Sequence, residues 1–191
     1  ADAERGPDLL RPHRRGRLRD GHGALLVTNP EDRHMSQVAL RPVEVGDIDA
    51  IFEQMRDPES VCMAAFTPED PNDRSAFDAH MAKIMSSSEN TLRAITRDSR
   101  LVGTIGSYVS EGSTEVTYWM DRTCWGQGIA TRALRLLLEE ISVRPIRARA
   151  ASDNAGSLRV LQKAGFHPIG TEVSFAPGRA AEIEETILEL P

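Results

Sequence analysis

From Val38 onward, apolar and polar positions repeat regularly enough to lay out a succession of elements. Val38-Ala39-Leu40-Arg41 reads as a first strand that exits at Pro42. Asp47 is a suitable cap for a helix whose apolar residues Ile48, Ile51, Phe52 and Met55 fall at helical spacing, with Pro58 just beyond its end. A second helix is predicted over 73–85, with Phe77, Met81, Ile84 and Met85 on one face as core filling. The period then shortens to two. Residues 91–96 and 101–109 predict a hairpin about the turn Arg97-Asp98-Ser99-Arg100. Residues 114–121 follow as a strand in which Glu115, Thr117 and Trp119 alternate with Val116, Tyr118 and Met120.

After a loop at 122–128, Ala130, Leu134, Leu137 and Ile141 form the apolar seam of a helix. Residues 145–151 predict a short strand, and 154–163 a helix stopped by Gly165. Two last strands, at 167–175 and 181–190, flank the turn Pro177-Gly178-Arg179. The order predicts an α/β (α+β) fold: a mixed sheet with helices on both faces, neither a doubly wound alternation nor a bundle.

Residues 1–34 break this regularity. They carry Pro7, Pro12, Pro30, four glycines and an Arg cluster from Arg11 to Arg19, with no sustained apolar period. They are expected to form an extension, with the folded domain over 35–191. Within the full 191 residues, 40% hydrophobic and 27% charged positions are ordinary for one soluble globular domain. No apolar run approaches the ~20 residues a spanning helix needs, so no membrane partner is expected. A net charge of −6 argues against a nucleic-acid binder that works by neutralising phosphates. Cys62 and Cys124 lie far apart without metal-ligand spacing, and the five histidines show none either. A reducing, cytoplasmic setting and no bound metal are expected.

The chemistry concentrates in Trp125-Gly126-Gln127-Gly128-Ile129-Ala130-Thr131, which runs from a strand into a helix. The first N–H groups of a helix are unpaired and carry partial positive charge, so they can hold a phosphate without a basic side chain. Gly126 and Gly128 let those amides curl round an anion, and Ala130 is small enough for close approach. The Gly-Lys-Ser/Thr of a nucleotide-binding P-loop is absent. A dinucleotide fingerprint fails too, since Thr131 stands where its third Gly belongs.

Downstream come Asn154-x-x-Ser157 and Leu161-x-Lys163-x-Gly165-Phe166; upstream lies Tyr118-Trp119. In order and spacing these pieces resemble the GCN5-related N-acetyltransferases (GNAT), in particular the branch of ribosomal-protein N-terminal acetyltransferases (RimJ/RimL-like). The resemblance spans about residues 38–190. It implies a mixed, mostly antiparallel sheet splayed between strands 114–121 and 145–151, with the pantetheine arm of acetyl-CoA between them. That arm would pair with backbone near Trp119 and Met120. Its phosphates would sit on the amides of Gln127, Gly128, Ile129, Ala130 and Thr131, with Trp125 and Gly126 opening the motif. Asn154 would reach the pantetheine or a water near the thioester. Trp125 stands where the family usually has Gln or Arg, as in the ribosomal-protein branch.

The reaction so implied is direct attack of an amine on the acetyl thioester. A backbone N–H near Met120 would hold the oxyanion. Glu115 is the candidate base, with Glu182, Glu184 and Glu185 as rivals. Many relatives protonate the thiolate with a Tyr at the position of Leu161, so Ser157, one helical turn earlier, is the candidate acid. The acceptor stays open between a protein N-terminus and a small-molecule amine, and a homodimer is allowed. The rival reading is an acyl-CoA-binding sensor or scaffold without turnover, which Leu161 keeps alive.

Overall fold

Asp98 and Ser99 both take positive φ, 51° and 68°, the mirror-image turn whose twist suits two adjacent strands. The hairpin they close lies within a seven-stranded sheet. The computed structural model describes residues 37–191; the extension predicted over 1–34 lies outside the described residues. The strands are β1 (Val38–Pro42), β2 (Thr91–Arg97), β3 (Arg100–Ser110), β4 (Ser113–Met120), β5 (Ile146–Ala151), β6 (His167–Ala176) and β7 (Ala181–Leu190). Their order is β1-β2-β3-β4-β5-β7-β6. Every neighbouring pair is antiparallel except β4 with β5. The helices are α1 (Ile48–Met55), α2 (Pro58–Ala64), α3 (Arg74–Ser86), α4 (Ile129–Glu140) and α5 (Ala155–Lys163). This is the mixed sheet with helices on both faces that the sequence predicts. Among the described residues no helix is long and apolar enough to cross a membrane.

Alternation along β4 sorts the two faces. On one, Val116 and Met120 join Ile146, Ala148 and Ala150 of β5, Leu188 of β7, and Ile129, Ala133, Leu134, Leu137 and Leu161 of α4 and α5 in a single core. On the other, the Trp119 indole Nε1 donates to Gln54 O of α1 at 3.0 Å. Phe77 of α3 reaches the same side, its ring 5.0 Å from that of Phe52 in α1.

Four local readings are corrected. Pro58 does not follow a finished helix; it opens α2, where Asp57 Oδ1 accepts from Ser60 N at 2.9 Å. An Asp cap with Pro at the first helical position is a start signal. Asp47 precedes α1 but its carboxylate turns back, accepting from Glu44 N at 2.8 Å and from both guanidinium nitrogens of Arg41. Those Arg41 bonds hold its carboxyl below the usual carboxylate range. The buried stripe of α4 is Ile129, Ala133, Leu134 and Leu137, rotated from the predicted seam so that Ala130 is only half-buried. In α3, Met81 is buried but Met85 is exposed, so the methionine face is only partly core.

The turn between β6 and β7 closes against the end of α2. Gly178 N–H donates to Ala65 O at 2.9 Å. A Cβ on Gly178 would stand 2.7 Å from Thr67 Oγ1 and 2.8 Å from the carbonyl oxygens of Ala65 and Val61. Two of those atoms are backbone, so a methyl must push the chain apart. Gly178→Ala is expected to cost about 1–3 kcal/mol, as overpacking does elsewhere, read as a lower urea midpoint at unchanged slope. An unaltered midpoint would mean that the end of α2 yields freely.

Candidate functional site

Strands β4 and β5 stay paired only where Thr114 lies opposite Ile146 and Glu115 opposite Arg147. Beyond that, β4 runs on to Met120 and β5 to Ala151 without pairing. The sheet opens there as a V, closed at Glu115 and widest at the C-terminal ends of both strands. Asp121 N–H donates to Val102 O of β3 at 2.9 Å. By the alternation of a strand, Trp119 therefore turns its backbone polar atoms to β3, and Met120 and Tyr118 turn theirs to the gap. The carbonyl of Trp119 presses on Gly103 of β3, where a Cβ would come within 2.2 Å of it. Of the two residues expected to meet an incoming arm with their backbone, Met120 faces the gap and Trp119 does not.

The glycine loop stands at the wide end. Gly126 and Gly128 have φ of 73° and 76°, a region that L side chains enter only at a cost. A Cβ at either position meets nothing within 4 Å, so conformation rather than crowding demands glycine. Gly128 is the N-cap of α4 and offers no side-chain cap. The first N–H groups of α4, from Ile129, Ala130 and Thr131, thus lack the partner that a Ser or Asp would supply. Gln127 is spoken for: its Nε2 donates to Thr123 O at 2.9 Å and its Oε1 accepts from Arg97. Trp125 is 36% exposed, and its Nε1 donates to Met120 O at 3.2 Å. Trp125 thus ties the loop to the last carbonyl of β4. Ile129 anchors the loop from below in the core.

At the other lip, α5 begins directly after β5. Asn154 Oδ1 accepts from Ser157 N at 2.9 Å, and Asn154 Nδ2 donates to Met63 O at 3.1 Å. Asn154 therefore caps α5 and clasps the end of α2. Ser157 Oγ lies 2.7 Å from the Tyr118 hydroxyl. Tyr118 comes from β4 and Ser157 from beyond β5, so the pair bridges the V on the α4/α5 face. Burial pushes the Tyr118 phenol up to about 12, against a smaller opposing effect of the bond to Ser157. Leu161 is 1% exposed within the core and brings no polar group to the gap.

Glu115 lies at the closed end of the V on the opposite, α1 face, and is 5% exposed. Its Oε2 accepts from the Tyr108 hydroxyl at 3.1 Å, and its Oε1 is 3.6 Å from Arg149 Nε. Arg149 Nη1 also reaches Glu172 Oε2 at 2.8 Å and Glu185 Oε2 at 3.3 Å. One guanidinium therefore serves three carboxylates from three strands. The bonds to Glu172 and Glu185 and the charge of Glu115 raise the Arg149 pKa against burial. Burial raises that of Glu185, with Arg149 opposing. Burial and the Glu115 charge lift the Tyr108 phenol to about 12. Among the rivals for the base, Glu185 joins this cluster; Glu182 and Glu184 are exposed. Cys124 is buried and Cys62 exposed, both as free thiols.

The structure thus gathers Trp125 to Thr131, Met120, Asn154 and Ser157 around one gap and sets Glu115 at its closed end. Tyr118 is the residue that sequence reasoning missed in its role. It is 39 positions from Ser157, and a tyrosine in an alternating strand carries no local sign of its partner.

A split parallel strand pair with an uncapped helix start at its mouth offers a cleft for an extended ligand that carries an anionic group. Residues 37–167 match the family model described as "Acetyltransferase (GNAT) domain", and the chain belongs to that family. A probable N-acetyltransferase, YjcK, of Bacillus subtilis (strain 168) is 37% identical over 81 residues, 38% of this chain and 45% of that protein. The chain therefore matches less than half the length of that relative. Mycobacterium smegmatis RimJ in complex with CoA-disulfide is similar in structure, with a TM-score of 0.70, 22% identity and coverage of 80% of this chain and 81% of that one. Spermidine N-acetyltransferase of Vibrio cholerae in complex with CoA and spermine gives 0.67 at 17% identity, covering 80% of this chain and 95% of that one.

Proposed function

We propose that this chain is an acetyl-CoA-dependent N-acetyltransferase that moves the acetyl group to an amine by direct attack. The observation that carries this is the V between β4 and β5, with the amides at the start of α4 facing its mouth. The phosphates of the donor fit the N–H groups of Gln127 to Thr131, in a loop that Gly126 and Gly128 shape and Trp125 braces. The arm then enters the gap along Met120, whose N–H is available to the oxyanion. Asn154 Oδ1 uses one lone pair on Ser157 N–H and keeps a second for a pantetheine amide.

Glu115 and Ser157 flank the gap from opposite faces of the sheet. That division suits addition to the thioester carbonyl followed by collapse of the tetrahedral oxyanion: the amine adds from the α1 face, the C–S bond then breaks, and the thiolate departs on the α5 face. An alkylamine is mostly protonated at neutral pH, so Glu115 is the acceptor of its proton, directly or through water. Glu172 and Glu185 share Arg149 with Glu115, so this face has more negative than positive charge and favours a cationic acceptor. Both a small polyamine-like molecule and a protein N-terminus satisfy that. The free thiols of Cys62 and Cys124 suit a reducing, cytoplasmic setting.

Thiol release from acetyl-CoA across a panel of amines and peptides with different first residues tests the reading, alongside acetyl-CoA affinity by calorimetry. Turnover with at least one cationic amine is the expected result. Tight binding with no thiol release across the panel would instead favour an acyl-CoA sensor, the rival that Leu161 supports.

A further inference from the structure

We infer that Tyr118 is a positioning residue for the leaving-group step: its phenol holds Ser157 Oγ so that the proton of Ser157 points at the departing thiolate. The inference rests on the transferase reading above and assigns a role that no local motif marks. Three observations carry it. Tyr118 OH and Ser157 Oγ are 2.7 Å apart, while the alternative acceptor, Ser157 O, is farther from the phenol at 3.3 Å. The two side chains come from opposite lips of the V, so their bond crosses the gap where backbone pairing has stopped. Ser157 N–H is itself fixed by Asn154 Oδ1 at 2.9 Å, which leaves the serine hydroxyl as the movable part of the arrangement.

A phenol is the more acidic of the two hydroxyls, so it donates and the serine oxygen accepts. The hydroxyl proton of Ser157 is then left for a second acceptor. In the reaction the N–C bond forms, the C–S bond breaks, and its electron pair goes to sulfur. Ser157 O–H donates a hydrogen bond to that sulfur, and the amine proton leaves on the other face through Glu115. Tyr118 keeps its proton throughout. Burial holds its phenol at about 12, well above an ordinary thiol at about 8.5, so transfer to a thiolate runs uphill. The phenol acts by orientation.

The test compares Tyr118→Phe, Ser157→Ala and the double variant with the wild type. It measures kcat and KM with the best amine, and acetyl-CoA Kd by calorimetry. A hydrogen bond to a charged group is worth about 1.5–3 kcal/mol. Ser157→Ala is therefore expected to lower kcat by roughly 10- to 100-fold, a factor of ten being about 1.4 kcal/mol. Tyr118→Phe is expected to lower it about 5- to 10-fold, with acetyl-CoA Kd within about twofold of wild type, since the Ser157 donor remains but loses its orientation. The double variant should match Ser157→Ala alone, because residues that act through one another are not additive. Undiminished kcat in Tyr118→Phe, or losses that multiply in the double variant, would overturn the inference. A wild type that releases no thiol sinks the transferase reading itself, an outcome the Tyr118 result cannot mimic. Ser157→Thr, which keeps a hydroxyl, is expected to recover most of the wild-type rate relative to Ser157→Ala when Tyr118 is present, but no more than the Tyr118→Phe rate when that change accompanies it. Equal recovery in both backgrounds also overturns it.

Discussion

Gly128→Glu is expected to weaken acetyl-CoA binding at least about 100-fold, or roughly 2.7 kcal/mol, without unfolding the chain. Two effects add. A non-glycine residue at φ 76° is strained by roughly 1–2 kcal/mol, which disfavours the loop conformation that offers its amides. The new carboxylate also stands at the start of α4 and competes for the field that would attract a phosphate, an effect of about 0.3–1 kcal/mol before direct repulsion is counted. Open space at this position means the side chain is accommodated. Gly128→Asn separates the two terms, since Asn tolerates the left-handed region and brings no charge; its Kd is expected to rise less than about tenfold. If Gly128→Glu folds and binds acetyl-CoA as the wild type does, the loop is not the phosphate site.

Arg149→Met is expected to lower stability by about 2–3 kcal/mol. Removing one member of a buried ion pair costs about 3–5 kcal/mol, and the cost is smaller here because Arg149 and Glu172 are partly exposed. Glu115 and Glu185 are buried and would face each other without a cation. The pH dependence has a definite sign. Arg149 opposes the upward push of burial on Glu185, so without it the folded pKa of that carboxyl moves further above its unfolded value of about 4.3. The folded state then binds more protons than the unfolded state between the two values, so stability rises as pH falls through that window. Urea unfolding should therefore show the gap between variant and wild type narrowing from pH 7 to pH 5. A gap independent of pH would mean that the carboxylates are not what Arg149 stabilises.

What the sequence disclosed and what it hid divide along physical lines. The hairpin at Asp98-Ser99, the glycine loop and the stop at Gly165 are local conformational demands. Residues capable of positive φ announce them, and each was found where expected. The sheet could be read because β2, β3 and β4 alternate. The start of α2 is equally local, in Asp57-Pro58, but a proline after an apolar helical run marks an ending as readily as a beginning, and here it begins a helix. Asp47 shows the opposite limit. Its cap-like position is plain, yet Arg41 and Glu44 N compete for the carboxylate and win. The bonds of Tyr118 to Ser157 and of Arg149 to three acids depend on strand register and on the parting of two strands. No window of sequence contains those arrangements.

The separation of Glu115 from Ser157 by the thickness of the sheet has a consequence for how such a protein can change. On the proposed reading the donor would be held by backbone amides and by side chains on the α4/α5 side, whose packing is shared with the main core. The side proposed to receive the acceptor is built from α1, α2, α3 and the β6–β7 hairpin, where β6 is exposed along nearly its whole length. Substitutions there can reshape what is admitted without touching the groups that grip the donor. A scaffold so divided can exchange one acceptor for another through surface mutations alone. The side that admits the acceptor can therefore diverge rapidly while the loop from Trp125 to Thr131 stays fixed.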